Sequence, residues 1–181
     1  EAYLLGKDSF LAEMARKQGP ARHDLEQLLD QARYDPSIIE AMTRPYEAKP
    51  WPQYRDLFLT PARIQGGIDY WDAQAAALTQ AQEAYGVPVE VIVAILGVET
   101  RYGAHLGRHR VIDALTTLGF AYPPRAAFFR QELEQFLLLV QEEALDAAGV
   151  RGSYAGALGK PQFIPSSYRA YAVDFDRDGR R

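Results

Sequence analysis

Residues 87–103, Val87 to Gly103, read VPVEVIVAILGVETRYG, and the class of the fold turns on them. A near-continuous apolar block leads to a single carboxylate, Glu99, followed at once by Thr100, Arg101, Tyr102 and Gly103. Taken alone, VEVIVAIL suits a buried strand as well as a buried helix, because it is rich in β-branched residues. The punctuation favours the helix. Gly86 can end a preceding helix, Pro88 suits a first helical position and Gly103 offers a stop. Residues 88–101 are therefore predicted to be a helix, apolar nearly all round and hence buried. Glu99 falls in its last turn, where the helix dipole opposes a negative charge. That suits a proton donor. The plainer reading is a helix-end carboxylate paired with Arg101 or Arg125.

Outward from this stretch the pattern stays helical. Upstream, Phe10, Leu11, Met14 and Ala15 mark one face over residues 8–18, with Gly19-Pro20 as the stop. Leu25, Leu28, Leu29 and Ala32 mark a second helix. Asp35-Pro36 opens a third, with Ile38, Ile39 and Met42 inward. RPYEAKPWP, residues 44–52, reads as an extended strap. Thr60-Pro61 opens a long helix to about Tyr85 with Ile64, Ile68, Trp71, Ala75 and Leu78 on one face, although Gly66-Gly67 weakens that turn. Downstream, VIDALTTL (111–118) is a short helix and GFAYPP (119–124) an aromatic turn. Residues 125–144 carry Phe129, Leu133, Phe136, Leu137 and Val140 at helical spacing, and Pro165 opens a last helix. No internal repeat and no convincing sheet is visible. The class is mostly α, with an N-terminal helical lobe and strap over residues 1–60 and a main helical core over 61–181.

Composition removes several functions. The chain has 181 residues, 48% hydrophobic and 24% charged, with a net charge of −4. That balance and the lack of basic runs argue against nucleic acid. No cysteine is present, which excludes thiol nucleophiles, disulfides and zinc-thiolate sites in this segment. No apolar run reaches membrane-spanning length, and EAYLLG reads as the start of a mature or trimmed chain.

Two further stretches carry chemistry. In GSYAGALGKPQF (152–163), glycines allow close backbone approach, while Ser153, Tyr154 and Gln162 supply neutral hydrogen bonds and a stacking face suited to a sugar. A surface loop with turn glycines is the plainer alternative. Asp174, Asp176, Asp178 and Gly179 form the D-x-D-x-D-G opening of an EF-hand-type calcium loop, in which the Arg180 carbonyl takes the seventh position. The carboxylate expected at position 12 falls past Arg181, so the site is incomplete in this chain. An acidic surface turn is the alternative. His105 and His109 lie four apart, but the glycines at 103 and 107 argue against a helical metal pair, so both are expected to face solvent in a loop.

These blocks, with GVETRYG and DALTTLGFAYPPRAAFF, resemble the B-type lytic transglycosylases that cleave bacterial peptidoglycan, from about Ser9 to Arg181. The resemblance implies a lysozyme-like α-helical catalytic domain with an EF-hand-like metal loop, a periplasmic setting and a monomer acting on peptidoglycan glycan strands. It places the catalytic acid/base on Glu99 and saccharide binding on Ser153 and Gln162, with Tyr122, Arg125 and Phe163 matching the cleft pattern. It implies a structural calcium ion and no cofactor for the chemistry. Pro124 and Lys160-Pro161 depart from the family pattern, at positions that suit contacts to a peptide stem or a subsite. Family members continue past the metal loop. The other functions in view are a catalytically silent glycan-binding domain and a calcium-responsive interaction protein.

Overall fold

Side-chain caps and prolines set about half of the helix starts in the computed structural model, which describes residues 1–17, 22–44 and 49–181. The helices are α1 (Ala2–Arg16), α2 (Arg22–Asp30), α3 (Pro36–Thr43), α4 (Trp51–Phe58), α5 (Pro61–Ala73), α6 (Ala75–Tyr85), α7 (Val89–Thr100), α8 (Val111–Ala121), α9 (Ala126–Glu142) and α10 (Pro165–Tyr171). A 3₁₀ turn over Pro123–Arg125 precedes α9. Asp35 caps α3 by accepting from Ser37 N at 2.9 Å, and Thr60 caps α5 by accepting from Arg63 N at 3.3 Å. Gly86 closes α6 in the left-handed region at φ +69°.

Several elements differ from the sequence expectation. The helix expected over 61–85 breaks at Gln74, where φ −114° and ψ 16° leave the helical basin without any glycine or proline to announce it. Ile64, Ile68 and Trp71 are exposed, while Gly67 and Leu78 are buried. Residues 51 and 52, expected in the extended strap, open α4. Pro50 stands at its N-cap and Pro52 in its first turn, where a missing N–H costs nothing. Residues 45–48 of that strap, and the Gly19-Pro20 stop, lie outside the described residues. α8 runs on through Ala121, so Gly119 lies inside a helix. A Cβ there would meet the Arg130 backbone nitrogen at 3.3 Å, so the glycine admits close helix packing rather than a turn. A two-stranded antiparallel pair, β1 (His109–Arg110) with β2 (Arg151–Gly152), sets His109 opposite Gly152. His109 is therefore a half-buried strand residue facing Asp35 at 3.7 Å, and not a solvent-facing loop histidine.

The chain divides into two compact units, and not at residue 60. The first comprises 1–44, 107–158 and 163–181; the second comprises 45–106 and 159–162. In the first, α8 is the helix buried on every side, from Val111 to Phe120. Phe10 and Met14 of α1, Ile38 of α3 and Phe129, Leu133 and Phe136 of α9 belong to the same core. Each such side chain contributes about 1.5–3 kcal/mol on burial. Two polar side chains inside are matched: Asp113 accepts from Arg33 N at 2.8 Å and Thr117 Oγ1 accepts from Asp35 N at 3.1 Å.

The second unit has a small core of Leu78, Val89 and Val93, with Tyr70, Ile92 and Tyr102 against it. α7 is therefore not buried all round as its apolar run suggests. Val91, Ile95 and Val98 are exposed, Ile95 by 50%, because the helices of this unit cover one side of α7 only. No single helix among the described residues is long and apolar enough to cross a membrane.

Candidate active site

Glu99 sits one residue before the end of α7 and is exposed, contrary to the buried carboxylate expected from the sequence. Within its own unit no cation pairs with it among the described residues. The chain then turns through two successive left-handed residues, Arg101 (φ 51°) and Tyr102 (φ 61°), before Gly103 (φ 91°). Such a conformation costs a non-glycine residue about 1–2 kcal/mol, so it needs compensation. Tyr102 N donates to Leu96 O at 3.0 Å, and His105 N donates to Thr100 O at 2.9 Å, which together close the helix end.

The Tyr102 side chain is held as tightly as its backbone. Its hydroxyl donates to Arg63 O of α5 at 2.8 Å, and its ring stacks on Tyr70 at 5.6 Å. A Cβ on Gly97 would lie 2.6 Å from that hydroxyl oxygen, and one on Gly67 2.7 Å from it. A Cβ on Gly66 would lie 3.2 Å from the ring. The Gly66-Gly67 pair that weakened the helix prediction is thus one wall of a slot for an aromatic ring. Each of these helical glycines gives up about 1 kcal/mol relative to alanine.

Thr100, 1% exposed, ties this helix end to a distant loop. Its Oγ1 donates to Lys160 O at 2.9 Å and accepts from Gly103 N at 3.0 Å. Two residues on, Gln162 adopts φ 52° and its Nε2 donates to Leu106 O (3.2 Å) and Gly159 O (3.1 Å). Gln162 therefore has a structural role that its sequence context did not suggest. Glu99 and Gln162 belong to one unit, braced by Thr100. Lys160 reaches over the Tyr70 ring at 5.8 Å.

Ser153, Tyr154, Tyr122, Arg125 and Phe163 belong to the other unit. Ser153 Oγ accepts from Ala155 N (3.2 Å) and Ala157 N (3.1 Å), shaping its own turn. The glycines around it serve backbone packing: a Cβ on Gly152 would lie 2.1 Å from Ala157 O, and one on Gly156 2.5 Å from Leu115 Cδ2. Phe163 pairs with Leu158 through backbone bonds of 2.8 and 3.0 Å, and Tyr154 is half-buried. Tyr122 packs against the core, while the exposed Arg125 guanidinium lies 4.4 Å over Phe128. A hollow of about 560 Å³ in this unit is lined by Glu13, Phe120, Pro123, Arg130 and Glu134 among others, and by none of these candidates.

Asp174, Asp176 and Asp178 each turn a carboxylate oxygen to one place, all within 4.8 Å of one another. Asp174 also accepts from Asp178 N (3.0 Å) and Gly179 N (2.9 Å), and Asp178 from Arg180 N (2.9 Å). The donor set is hard oxygen, which fits calcium. Just beyond, Arg181 is clamped by Glu143 and Glu142, each at 2.7 Å. Arg169, bonded to Glu142, holds that carboxyl down to about 2, with Arg181 adding to the effect. The clamp fixes the end of the loop to the end of α9.

Fold and site together define a lysozyme-like helical protein of the lytic transglycosylase type. The chain belongs to the family described as the transglycosylase SLT domain, whose model matches residues 6–181. It is 44% identical over 180 residues to the membrane-bound lytic murein transglycosylase B of Escherichia coli K12, covering 94% of this chain and 50% of that protein. The soluble lytic transglycosylase SltB1 of Pseudomonas aeruginosa superposes with a TM-score of 0.91 at 51% identity, over 96% of this chain and 59% of its own. The E. coli lytic transglycosylase SLT35, solved in complex with calcium, gives 0.89 at 44%, over 97% and 56%. SltB3 of P. aeruginosa, solved with NAG-anhNAM-pentapeptide, gives 0.89 at 31%, over 99% and 48%. The chain thus spans about half the length of these relatives.

The sequence alone did not single out Gly97, Thr100 or Tyr102. A helical glycine two residues before a carboxylate, the Gly66-Gly67 pair and an aromatic were the available signal. What was missing was the contact that joins them.

Proposed function

We propose that this chain carries the catalytic carboxylate of a periplasmic peptidoglycan lytic transglycosylase, acting on the β-1,4 bond between N-acetylmuramic acid and N-acetylglucosamine. The observation that carries the reading is Glu99 itself: an accessible carboxylate at a helix end, paired with no cation among the described residues of its unit, next to Thr100, which braces that end to the Gln162 loop. A structural carboxylate would be paired; a proton carrier must be free to exchange.

Ordinary glycosidases use two carboxylates. Here one suffices if it acts twice. Glu99 gives its proton to the glycosidic oxygen as the bond to muramic C1 breaks, and the N-acetylglucosamine side leaves as an alcohol. The oxocarbenium-like muramic ring is stabilised by its own acetamido group and by fixed dipoles. Glu99, now a base, removes the proton of the muramic C6 hydroxyl, whose oxygen bonds to C1. The product is a 1,6-anhydromuramyl end, and no water is consumed. The hydroxyl is preferred because it is already part of the reacting sugar. Support comes from family membership and from a relative solved with a NAG-anhNAM-pentapeptide.

The Gln162 amide oxygen, Ser153, Tyr154, Tyr122, Arg125 and Phe163 are assigned to the saccharide. Asp174, Asp176, Asp178 and the Arg180 carbonyl are assigned to a structural calcium ion. Their oxygen set suits it, and SLT35 was solved with calcium. Glu99→Gln in the full-length protein tests the reading: glycan binding is retained and cleavage lost. Unchanged cleavage would defeat it.

A further inference from the structure

We infer that Tyr102 is the positioning residue of this site: seated in the slot of Gly66, Gly67 and Gly97, it sets the direction of the Glu99 carboxylate. The inference rests on the reading of Glu99 as the proton donor.

Proton delivery to a glycosidic oxygen needs the carboxyl within hydrogen-bond reach and correctly aimed. The aim of Glu99 is fixed by the last turn of α7, where Ile95 and Val98 are exposed and only Thr100 is tied down, to Lys160 O. The Glu99 side of the turn is held by the residues that follow. Tyr102 crosses back over Gly97, two residues before Glu99, and its hydroxyl ends on Arg63 O of α5. A side chain as small as alanine at Gly97 or Gly67 would collide with that hydroxyl. Glycines are therefore required at these helix positions by the ring. Tyr102 is also one of two successive left-handed residues, a conformation that relaxes once the ring no longer anchors it. Losing the ring frees the last turn, and Glu99 then points in several directions. Small misplacements of this kind cost on the order of 10²-fold in rate.

The test uses the full-length protein and a soluble glycan fragment, with kcat and KM measured below the unfolding range of each variant. Tyr102→Phe keeps the ring in the slot and stays within about threefold of wild-type kcat. Tyr102→Ala and Gly97→Ala each lower kcat at least tenfold while KM is unchanged, and the double variant falls no further, because both destroy one contact. Tyr102→Leu carries the comparison with Tyr102→Phe if the alanine variant does not fold. A folded Tyr102→Ala (or Tyr102→Leu) protein with wild-type kcat, or a loss confined to KM, overturns the inference. Glu99→Gln is run beside them. If it still cleaves, the acid assignment and this inference fall together; if it is silent while Tyr102→Ala is fully active, the inference alone falls.

Discussion

Thr100 and Lys160 are 60 residues apart in the chain and joined by a 2.9 Å hydrogen bond from the threonine hydroxyl to the lysine carbonyl. That bond makes the end of the Glu99 helix and the Gln162 loop a single piece. Thr100→Val keeps the shape and removes the hydroxyl, leaving Lys160 O and Gly103 N without this partner. A loss of about 1–3 kcal/mol is expected, read as a lower Tm, together with reduced glycan turnover. Unchanged Tm and turnover would show that the brace is idle.

Gln162→Ala removes two bonds of 3.2 and 3.1 Å that hold the loop, along with the amide oxygen that the proposed function assigns to the sugar. Both stability and saccharide binding should fall, stability by about 1 kcal/mol. Gln162→Glu preserves the shape but replaces the donor. If Gln162→Ala lowered binding with no change in Tm, the loop would not depend on its side chain.

Much of this was readable in advance, and the misses share a cause. Caps at Asp35 and Thr60 and the spacing of Phe129, Leu133 and Phe136 are local signals, and the structure keeps them. Glu99 stood out because it ends an apolar run. Burial was misread for the same run, because periodicity reports what a helix can bury and not what covers it. α8, with a weaker apolar signature, is the helix enclosed on all sides. The roles of Gly66, Gly67 and Gly97 depend on one ring from elsewhere in the chain. No window of sequence contains that contact.

Acid should loosen the end of α9. Glu142 is depressed from 4.5 to about 2 by the hydrogen bond from Arg169 and by Arg181. A depressed carboxyl contributes stability that is complete above its unfolded value and fades as pH falls from 4.5 toward 2. His109 is lowered by burial and then by Arg108, so its neutral form is favoured in the fold; that contribution is complete above 6.5 and fades below it. Tm measured from pH 7.5 downward should thus decline in two stages, and Glu142→Gln should flatten the lower one. A lower stage equally steep in the variant would assign it to other groups.

Calcium should raise the Tm of the full-length protein, since Asp174, Asp176 and Asp178 crowd three charges that a cation relieves. At a hundredfold excess over Kd the gain is about 2.7 kcal/mol. Asp176→Asn should reduce it. Chelation should leave cleavage intact at low temperature and shorten survival on heating. Turnover abolished by chelation at every temperature, with the fold intact, would contradict a structural role.

In the proposed mechanism one carboxylate, Glu99, serves as acid and then base and delivers an anhydro product. The test is mass spectrometry of purified peptidoglycan digested by the full-length protein, with Glu99→Gln in parallel. Muropeptides ending in 1,6-anhydromuramic acid, each lighter by one water than its hydrolytic counterpart, are expected from the wild type and none from the variant. Reducing muramic ends from the wild type, or anhydro ends from Glu99→Gln, would contradict it.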